Sequence, residues 1–455
     1  MSGKAKFGSK IGLITATVGS AVGLGNIWRF PSEVQQNGGA TFLLVYLICV
    51  LALGIPVMLA EFSLGRGGQS DAIGVFKKLS PKTKWWLTGA LSMIASYIIL
   101  SFYIVVAGWT LEYFWQSITG SLYSGTITIQ ELITKRNEMI NTSWNPLIWV
   151  FVMICLNLFI LLRGIQKGIE KLSNILMPIL FAILILFCII SLSLPNAMAG
   201  VEYFIKPDFS KLNGTLLVRA LGQAFFSLSL GMGVLITYSS YYPKETKLTR
   251  TATVVSALDF MVALLMGFII FPAVESFGLN SDPAGLSGST LVFITLPEIF
   301  AQLPFTRFWS ALFFLLLAIA ALTSTISLGE VTISLFQDKF KFSRVKSTLI
   351  VILPLFLFSS ICSLSEGPLA FIRIGGLNIF DFLDTISTNY LLPISSFFLC
   401  IYVGWILPRK FFKDEMTNGE NMTSQLFPII YFLIKYIAPI LVAIIIFSQI
   451  FHFNT

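Results

Sequence analysis

GSAVGLGNIWRFP, residues 19–31, lies inside an apolar run long enough to cross a bilayer, yet it holds three glycines, Asn26, Arg29 and Pro31. A helix built only to span lipid would exclude this mixture. Glycine costs about 1 kcal/mol against alanine in a helix interior, and arginine at the bilayer centre costs about 3 kcal/mol. Backbone that leaves the helix at membrane depth is tolerated only where protein buries it or where it lines a cavity. The stretch therefore reads as a broken helix whose break binds something.

The rest of the chain sets the context. Hydrophobic residues make up 56% of the 455 and charged residues 11%, a balance that excludes soluble globular classes and fits a polytopic helical membrane protein. Apolar runs of about 20 residues, the length needed to span a bilayer, number eleven. With the N-terminus placed inside, the inner loops hold 21 of the 30 Lys and Arg and the outer loops seven, leaving Arg29 and Lys435 within spans. The bias predicts a cell-membrane protein with its N-terminus cytoplasmic and its C-terminus extracellular. The net charge of +8 is thus topological and implies no nucleic-acid partner. No motif points to an obligate protein partner.

The sixth span repeats the anomaly of the first. GQAFFSLSLGMGVLITYSSYY, residues 222–242, carries a mid-span run of small residues, Ser227 to Gly233. Five spans separate the two breaks, and five is odd, so the second block of five enters the membrane from the opposite side. This is the pattern of an inverted-topology repeat with a site at its two breaks. The expected architecture is all-α, with 11 transmembrane helices forming one transporter domain over residues 1–455. Its parts are a first repeat over 10–195, a second over 215–408 and an additional helix over 425–452, with helices 1 and 6 discontinuous. The long outer loop over 278–306 is apolar enough to dip back against the membrane part as a lid.

Broken helices offer free N–H groups and positive dipole ends, which suit a carboxylate, and unwound carbonyls, which suit a small hard cation. The oxygen-bearing side chains inside spans are Asn26, Ser227, Ser229, Asp259, Thr323 and Ser324, and the only His lies at position 452. That ligand set favours an alkali or alkaline-earth ion over zinc or copper. Asp259, deep in an apolar span, is a functional candidate by its cost alone. Few convergent acids and bases argue against an enzyme.

These residues, together with NGG at 37–39, GIP at 54–56 and ALTSTIS at 321–327, resemble the neurotransmitter:sodium symporters over about residues 10–408. The Gly-Met-Gly at 231–233 is similar to bacterial members that carry hydrophobic amino acids. The resemblance implies the leucine-transporter-type fold and sodium-coupled symport of hydrophobic L-amino acids. It places substrate contacts on Ala21, Gly23, Gly25, Ile99, Tyr103, Phe226, Ser227, Ser229, Met232, Ser324 and Leu328. Two Na+ ions are implied, one on Ala21, Asn26, Ser227 and Asp259, the other on Gly19, Val22, Ala320, Thr323 and Ser324. The outer gate would pair Arg29 with Asp384 or Asp381, and the inner gate would join Lys4, Tyr241 and Asp338. Gly168 and Pro178 match a spacing that goes with unwinding of the fifth helix. Asp259 and Ala263 stand where chloride-dependent members keep Asn and Ser, so chloride independence is expected, with proton return on Asp259 as a corollary. A transport-inactive amino-acid sensor or an ion channel of the same fold is the alternative reading.

Overall fold

A computed structural model describes residues 6–124, 128–142, 144–278, 288–419 and 425–450. Nine helices among them are long and apolar enough to cross a membrane. They are α2 (Ala40–Gly68), α3 (Trp86–Thr119), α4 (Asn145–Leu162), α5 (Ile165–Leu192), α7 (Leu248–Ser276), α8 (Thr306–Phe340), α9 (Arg344–Leu364), α10 (Ile379–Ile406) and α11 (Phe427–Ile450). A tenth crossing is the pair α1a (Lys10–Ala21) and α1b (Gly25–Gln36), bent by 52° at the break between them. The remaining pair is α6a (Gly214–Ser227) and α6b (Val234–Ser239). Residues 228–233 between them are not helical, so neither half reaches spanning length. The difference between ten and the expected eleven lies in this one interrupted element.

Local chemistry sets the ends of these helices. Ser9 caps α1a by accepting from the Gly12 N–H at 2.9 Å, and Asn213 caps α6a by accepting from Leu216 at 2.8 Å. Such caps satisfy N–H groups that the first turn leaves without partners. Gly120 ends α3 with φ +80°, a left-handed turn open to glycine without strain. The expected unwinding of α5 is not seen. Its first turn, Ile165–Glu170, is a π-helix, and Pro178 is accommodated within the continuous helix that follows.

The two long helices α3 and α8 pack on each other and flank the broken helices. On the face that carries residues 6–9, the N-terminal face, the chain is sealed. The Phe7 N–H donates to the Tyr241 carbonyl at 3.2 Å, and its ring meets Tyr238, Tyr241 and Tyr242 at centroid distances of 5.9, 6.4 and 6.0 Å. Glu170 accepts from the Gly8 N–H at 2.7 Å and from the Ser9 hydroxyl at 2.8 Å. The opposite face is open, with a vestibule of about 1390 Å³ empty volume reaching down to Phe226. Part of the loop expected as a lid, 279–287, lies outside the described residues. The rest, Gly288–Ala301, folds inward with Leu291 to Thr295 buried. Phe293 there packs on Trp28, Trp109 and Tyr113.

Candidate functional site

Between the two breaks and the flanking helices is a small cavity, about 370 Å³ of empty volume. All eleven residues expected to touch substrate line it, and Ser20, Val234 and Ser327 join them. Ser327 was legible in principle. Positions 324, 327 and 328 share one helix face at the 3.6-residue period. Ser20 and Val234 are neighbours of the breaks that no side-chain chemistry singles out.

At the first break the backbone is held by side chains, one from another helix and one from its own next turn. The Leu24 N–H donates to the Tyr103 hydroxyl at 2.8 Å. The Gly23 N–H donates to Asn26 Oδ1 at 3.3 Å. A Cβ on Gly23 would sit 2.7 Å from both the Ser324 and the Tyr103 oxygens, so only glycine fits there. The positive end of α1b and the Tyr103 hydroxyl thus face one small polar spot suited to a carboxylate. Phe226 closes the cavity against the vestibule, and its ring would lie 2.8 Å from a Cβ on Gly25.

Beside this spot sits a buried oxygen cluster. Asn26 Nδ2 donates to Asp259 Oδ1 at 2.8 Å and to Ser227 Oγ at 2.9 Å. The Ser227 hydroxyl donates to Asp259 Oδ2 at 2.6 Å, and the Tyr46 hydroxyl lies 3.2 Å from Ser227 Oγ and 3.4 Å from Asp259 Oδ2. Asp259 is fully buried, and these donors satisfy both of its carboxyl oxygens. The structure brings Asn26, Ser227 and Asp259 together at the break, next to Ala21. Tyr46 and Gln223, whose Nε2 donates to the Gly25 carbonyl at 3.0 Å, complete the cluster. Sequence reasoning missed both, because nothing in their own spans marks a polar side chain aimed at another helix.

The second oxygen set is looser. The Thr323 hydroxyl donates to its own helix, to Ile319 and Ala320 carbonyls at 3.2 and 3.1 Å. Ser324 Oγ reaches the Val22 carbonyl at 3.5 Å. A Cβ on Gly19 would lie 3.3 Å from that of Thr323, which brings α1a and α8 side by side here. Among the described residues no group of three or more His, Cys, Asp or Glu could hold a metal ion, so any cation here depends on carbonyl, amide and hydroxyl oxygens around Asp259.

The gates differ from expectation. Arg29 is paired with Glu33 one turn along its own helix, at 3.7 Å, and not with Asp384 or Asp381. It also lies over the Phe226 ring at 4.9 Å. Asp384 and Asp381 line the same vestibule without an ion pair to Arg29. Glu33, passed over in the sequence, also faces Arg219 at 3.7 Å and accepts from Asn37 at 3.1 Å. An i, i+4 partner held by the helix itself is reached at lower entropic cost than one across an open vestibule. In the turn before α10, burial and the charge of Asp381 lift the Glu366 carboxyl above its ordinary range, with Arg136 and Asn378 opposing. On the N-terminal face, Lys4 lies outside the described residues. The Tyr241 hydroxyl donates to Glu330 at 2.8 Å, and Glu330 is held bidentately by Arg344 at 2.8 and 2.6 Å. Asp338 lines the adjoining surface cavity with Tyr241 and Arg344. The Glu330–Arg344 pair was not legible, since Glu330 lies within α8 and Arg344 at the start of α9, and only the turn between the two helices brings them together.

The description "Sodium:neurotransmitter symporter family" matches residues 4–130 and 128–455. The chain belongs to that family. An uncharacterized sodium-dependent transporter, YhdH of Bacillus subtilis (strain 168), is 36% identical over 97% of this chain and 96% of its own. The sodium-dependent serotonin transporter of Drosophila melanogaster is 28% identical over 97% of this chain and 76% of its own. The crystal structure of MhsT in complex with L-phenylalanine superposes with a TM-score of 0.89 at 40% identity, covering 98% of this chain and 100% of that one. The symporter family member described here is therefore a multi-pass membrane protein that uses sodium, not an enzyme, and it has the leucine-transporter-type fold expected from its sequence.

Proposed function

We propose that the protein carries hydrophobic L-amino acids, aliphatic and aromatic, together with two sodium ions, by alternating access and without chloride. The observation that carries this reading is the pairing of the Leu24 N–H with the Tyr103 hydroxyl at the first break, beside the Asn26–Ser227–Asp259 cluster. A substrate carboxylate would take the polar spot at α1b and complete one sodium shell with Ala21, Asn26, Ser227 and Asp259. The second ion would lie against Gly19, Val22, Ala320, Thr323 and Ser324. The side chain would rest among Ile99, Phe226, Met232 and Leu328, with flexible Met232 adapting to its shape. The likeness to MhsT, solved in complex with L-phenylalanine, supports a hydrophobic substrate.

Asp259 supplies the negative charge that chloride would otherwise bring, and a proton returns on it when the carrier resets empty. The frame is two five-helix repeats, 10–195 and 215–408, with 425–452 outside them, in the cell membrane with the N-terminus cytoplasmic. Arg29 would leave Glu33 for Asp384 as the vestibule closes over Phe226, and release of residues 6–9 from Tyr241 and Glu170 would open the other side. Two sodium ions moving down a tenfold gradient and 100 mV would supply about 7 kcal/mol. Counterflow of labelled leucine or phenylalanine in sodium-loaded proteoliposomes tests this. A carrier exchanges label only with sodium present. Binding without exchange would mark a sensor instead.

A further inference from the structure

Lys435 stands in an apolar span and takes no part in the site above. It lies eight residues into α11, about 12 Å from the start of that helix at 1.5 Å per residue. Its neighbours are aromatic. The ammonium sits 4.6 Å from the Trp405 ring centroid, 5.5 Å from Tyr436 and 5.9 Å from Tyr431. Arg409, just past the end of α10, approaches the same Tyr431 ring at 5.3 Å and Phe427 at 5.5 Å. Two cations thus lie within 6 Å of one ring. Among the described residues neither makes an ion pair with a carboxylate.

The cage is built rather than incidental. Both helices form π-bulges here, Tyr402–Ile406 and Leu433–Ile437, and the bulges face each other. The Trp405 indole N–H donates to the Lys435 carbonyl at 2.9 Å, and the Tyr431 hydroxyl donates to the Gly404 carbonyl at 3.0 Å. The two bonds tie the helices together backbone to side chain, and the Gly404 carbonyl, which faces Pro408 and so has no N–H four residues on, gains its partner from Tyr431. A Cβ on Gly404 would lie 2.8 Å from the Lys435 Cα, so glycine permits the approach. π-bulges of this kind gather at functional sites. The outer side of the cage is open to the bilayer, since Trp405 is 55% and Tyr436 41% exposed.

We propose that this cage holds the phosphate of an anionic phospholipid, gripped between Lys435 and Arg409, in the leaflet that meets the N-terminal face. The charge argument selects the occupant. Cation–π contacts orient an ammonium but leave its charge uncompensated, and a lone cation at this depth is costly in hydrocarbon. Lysine extends toward the interface, where an anionic headgroup can neutralise it. The acyl chains then lie along the exposed apolar side chains of α11, such as Phe432, Ile440 and Ile444. The placement on the N-terminal face follows from Arg66. It ends α2 and binds both Glu415, in the helix Arg409–Thr417 (2.7 Å), and the Thr246 carbonyl beside α6b (2.5 Å).

Native mass spectrometry of the full chain, delipidated in detergent and then given phosphatidylglycerol or phosphatidylcholine, tests the proposal. The wild type is expected to retain phosphatidylglycerol at least fivefold better than phosphatidylcholine. Lys435→Gln and Arg409→Gln should each lower phosphatidylglycerol retention at least fivefold, while Lys435→Arg keeps it and Lys346→Gln, at another lysine-on-aromatic pair, changes nothing. Gel filtration reports folding, and Arg409→Gln lies outside the span, so it carries the test even if Lys435→Gln does not fold. Equal retention of the two lipids, or undiminished phosphatidylglycerol on both glutamine variants, would overturn it. So would a dimer held through this face with no lipid bound.

Discussion

The two helix breaks do different work with similar parts. The α1 break is three residues long, and its backbone bonds to other helices, the Leu24 N–H to Tyr103 at 2.8 Å and the Val22 carbonyl with Ser324 Oγ at 3.5 Å, sit beside the cavity itself. The α6 break is six residues long and is tied down on several sides. Its Gly231 N–H donates to Glu61 at 2.7 Å, its Met232 carbonyl accepts from Ser96 at 2.7 Å, and the Ser229 hydroxyl donates to the Ser20 carbonyl at 2.8 Å. Ser229, Gly231 and Gly233 all hold positive φ, at 54°, 75° and 71°. The second break is a rigid wall whose strain is offset by buried partners. The first is a lightly held hinge whose partners are also those a ligand would use. Chemistry at a broken helix is set less by the break than by who satisfies its orphan groups.

Substitutions can separate the two roles. Gly231→Ala should have the largest effect. At φ +75° an added Cβ is strained and would meet the Leu392 carbonyl at 2.8 Å as well as Ser396. A loss of about 3 kcal/mol in stability is expected, read as a lower Tm in detergent. Asp259→Asn should leave the fold but weaken sodium-dependent binding by roughly 30-fold, about 2 kcal/mol for a buried charge-assisted bond, and make the residual binding respond to chloride. Sodium titrations with chloride or gluconate as the anion would read both effects. Tyr103→Phe removes the acceptor of the Leu24 N–H and should weaken amino-acid binding roughly tenfold, with little change in Tm. Gln223→Leu should be the mildest. It removes a bond to the Gly25 carbonyl but also an Oε1 that has no partner, so a Tm change worth about 0.5 kcal/mol is expected.

Much of this was legible in the chain, for identifiable reasons. The breaks announced themselves because glycine, amide and charge are costly in a lipid-spanning run. The cavity residues came with the resemblance to the symporter family, because Ile99 and Tyr103 on α3 and Ser324 and Leu328 on α8 lie in unbroken helices that no local anomaly marks. Partner choice between distant spans was not legible. Arg29 settled on Glu33, one turn away, because the helix presents that carboxylate at no extra cost, whereas Asp384 stands across the vestibule. Tyr241 met Glu330 because Arg344 folds back from the next helix to hold that carboxylate in place. Tyr46 and Gln223 are polar side chains in apolar spans like several others, and only packing distinguishes them. The π-turn that begins α5 likewise depends on its neighbours. Pro178 can remain within a helix when the freed carbonyl finds room, which spacing alone does not reveal.

Equilibrium binding of labelled L-phenylalanine to the purified protein tests the central claim most directly, in sodium chloride, sodium gluconate and choline chloride. Saturable binding that is equal in the two sodium salts, absent in choline and dependent on sodium with a Hill coefficient approaching two is the predicted result. Binding that persists in choline, or that disappears in gluconate, would contradict a sodium-built, chloride-free site at the two breaks.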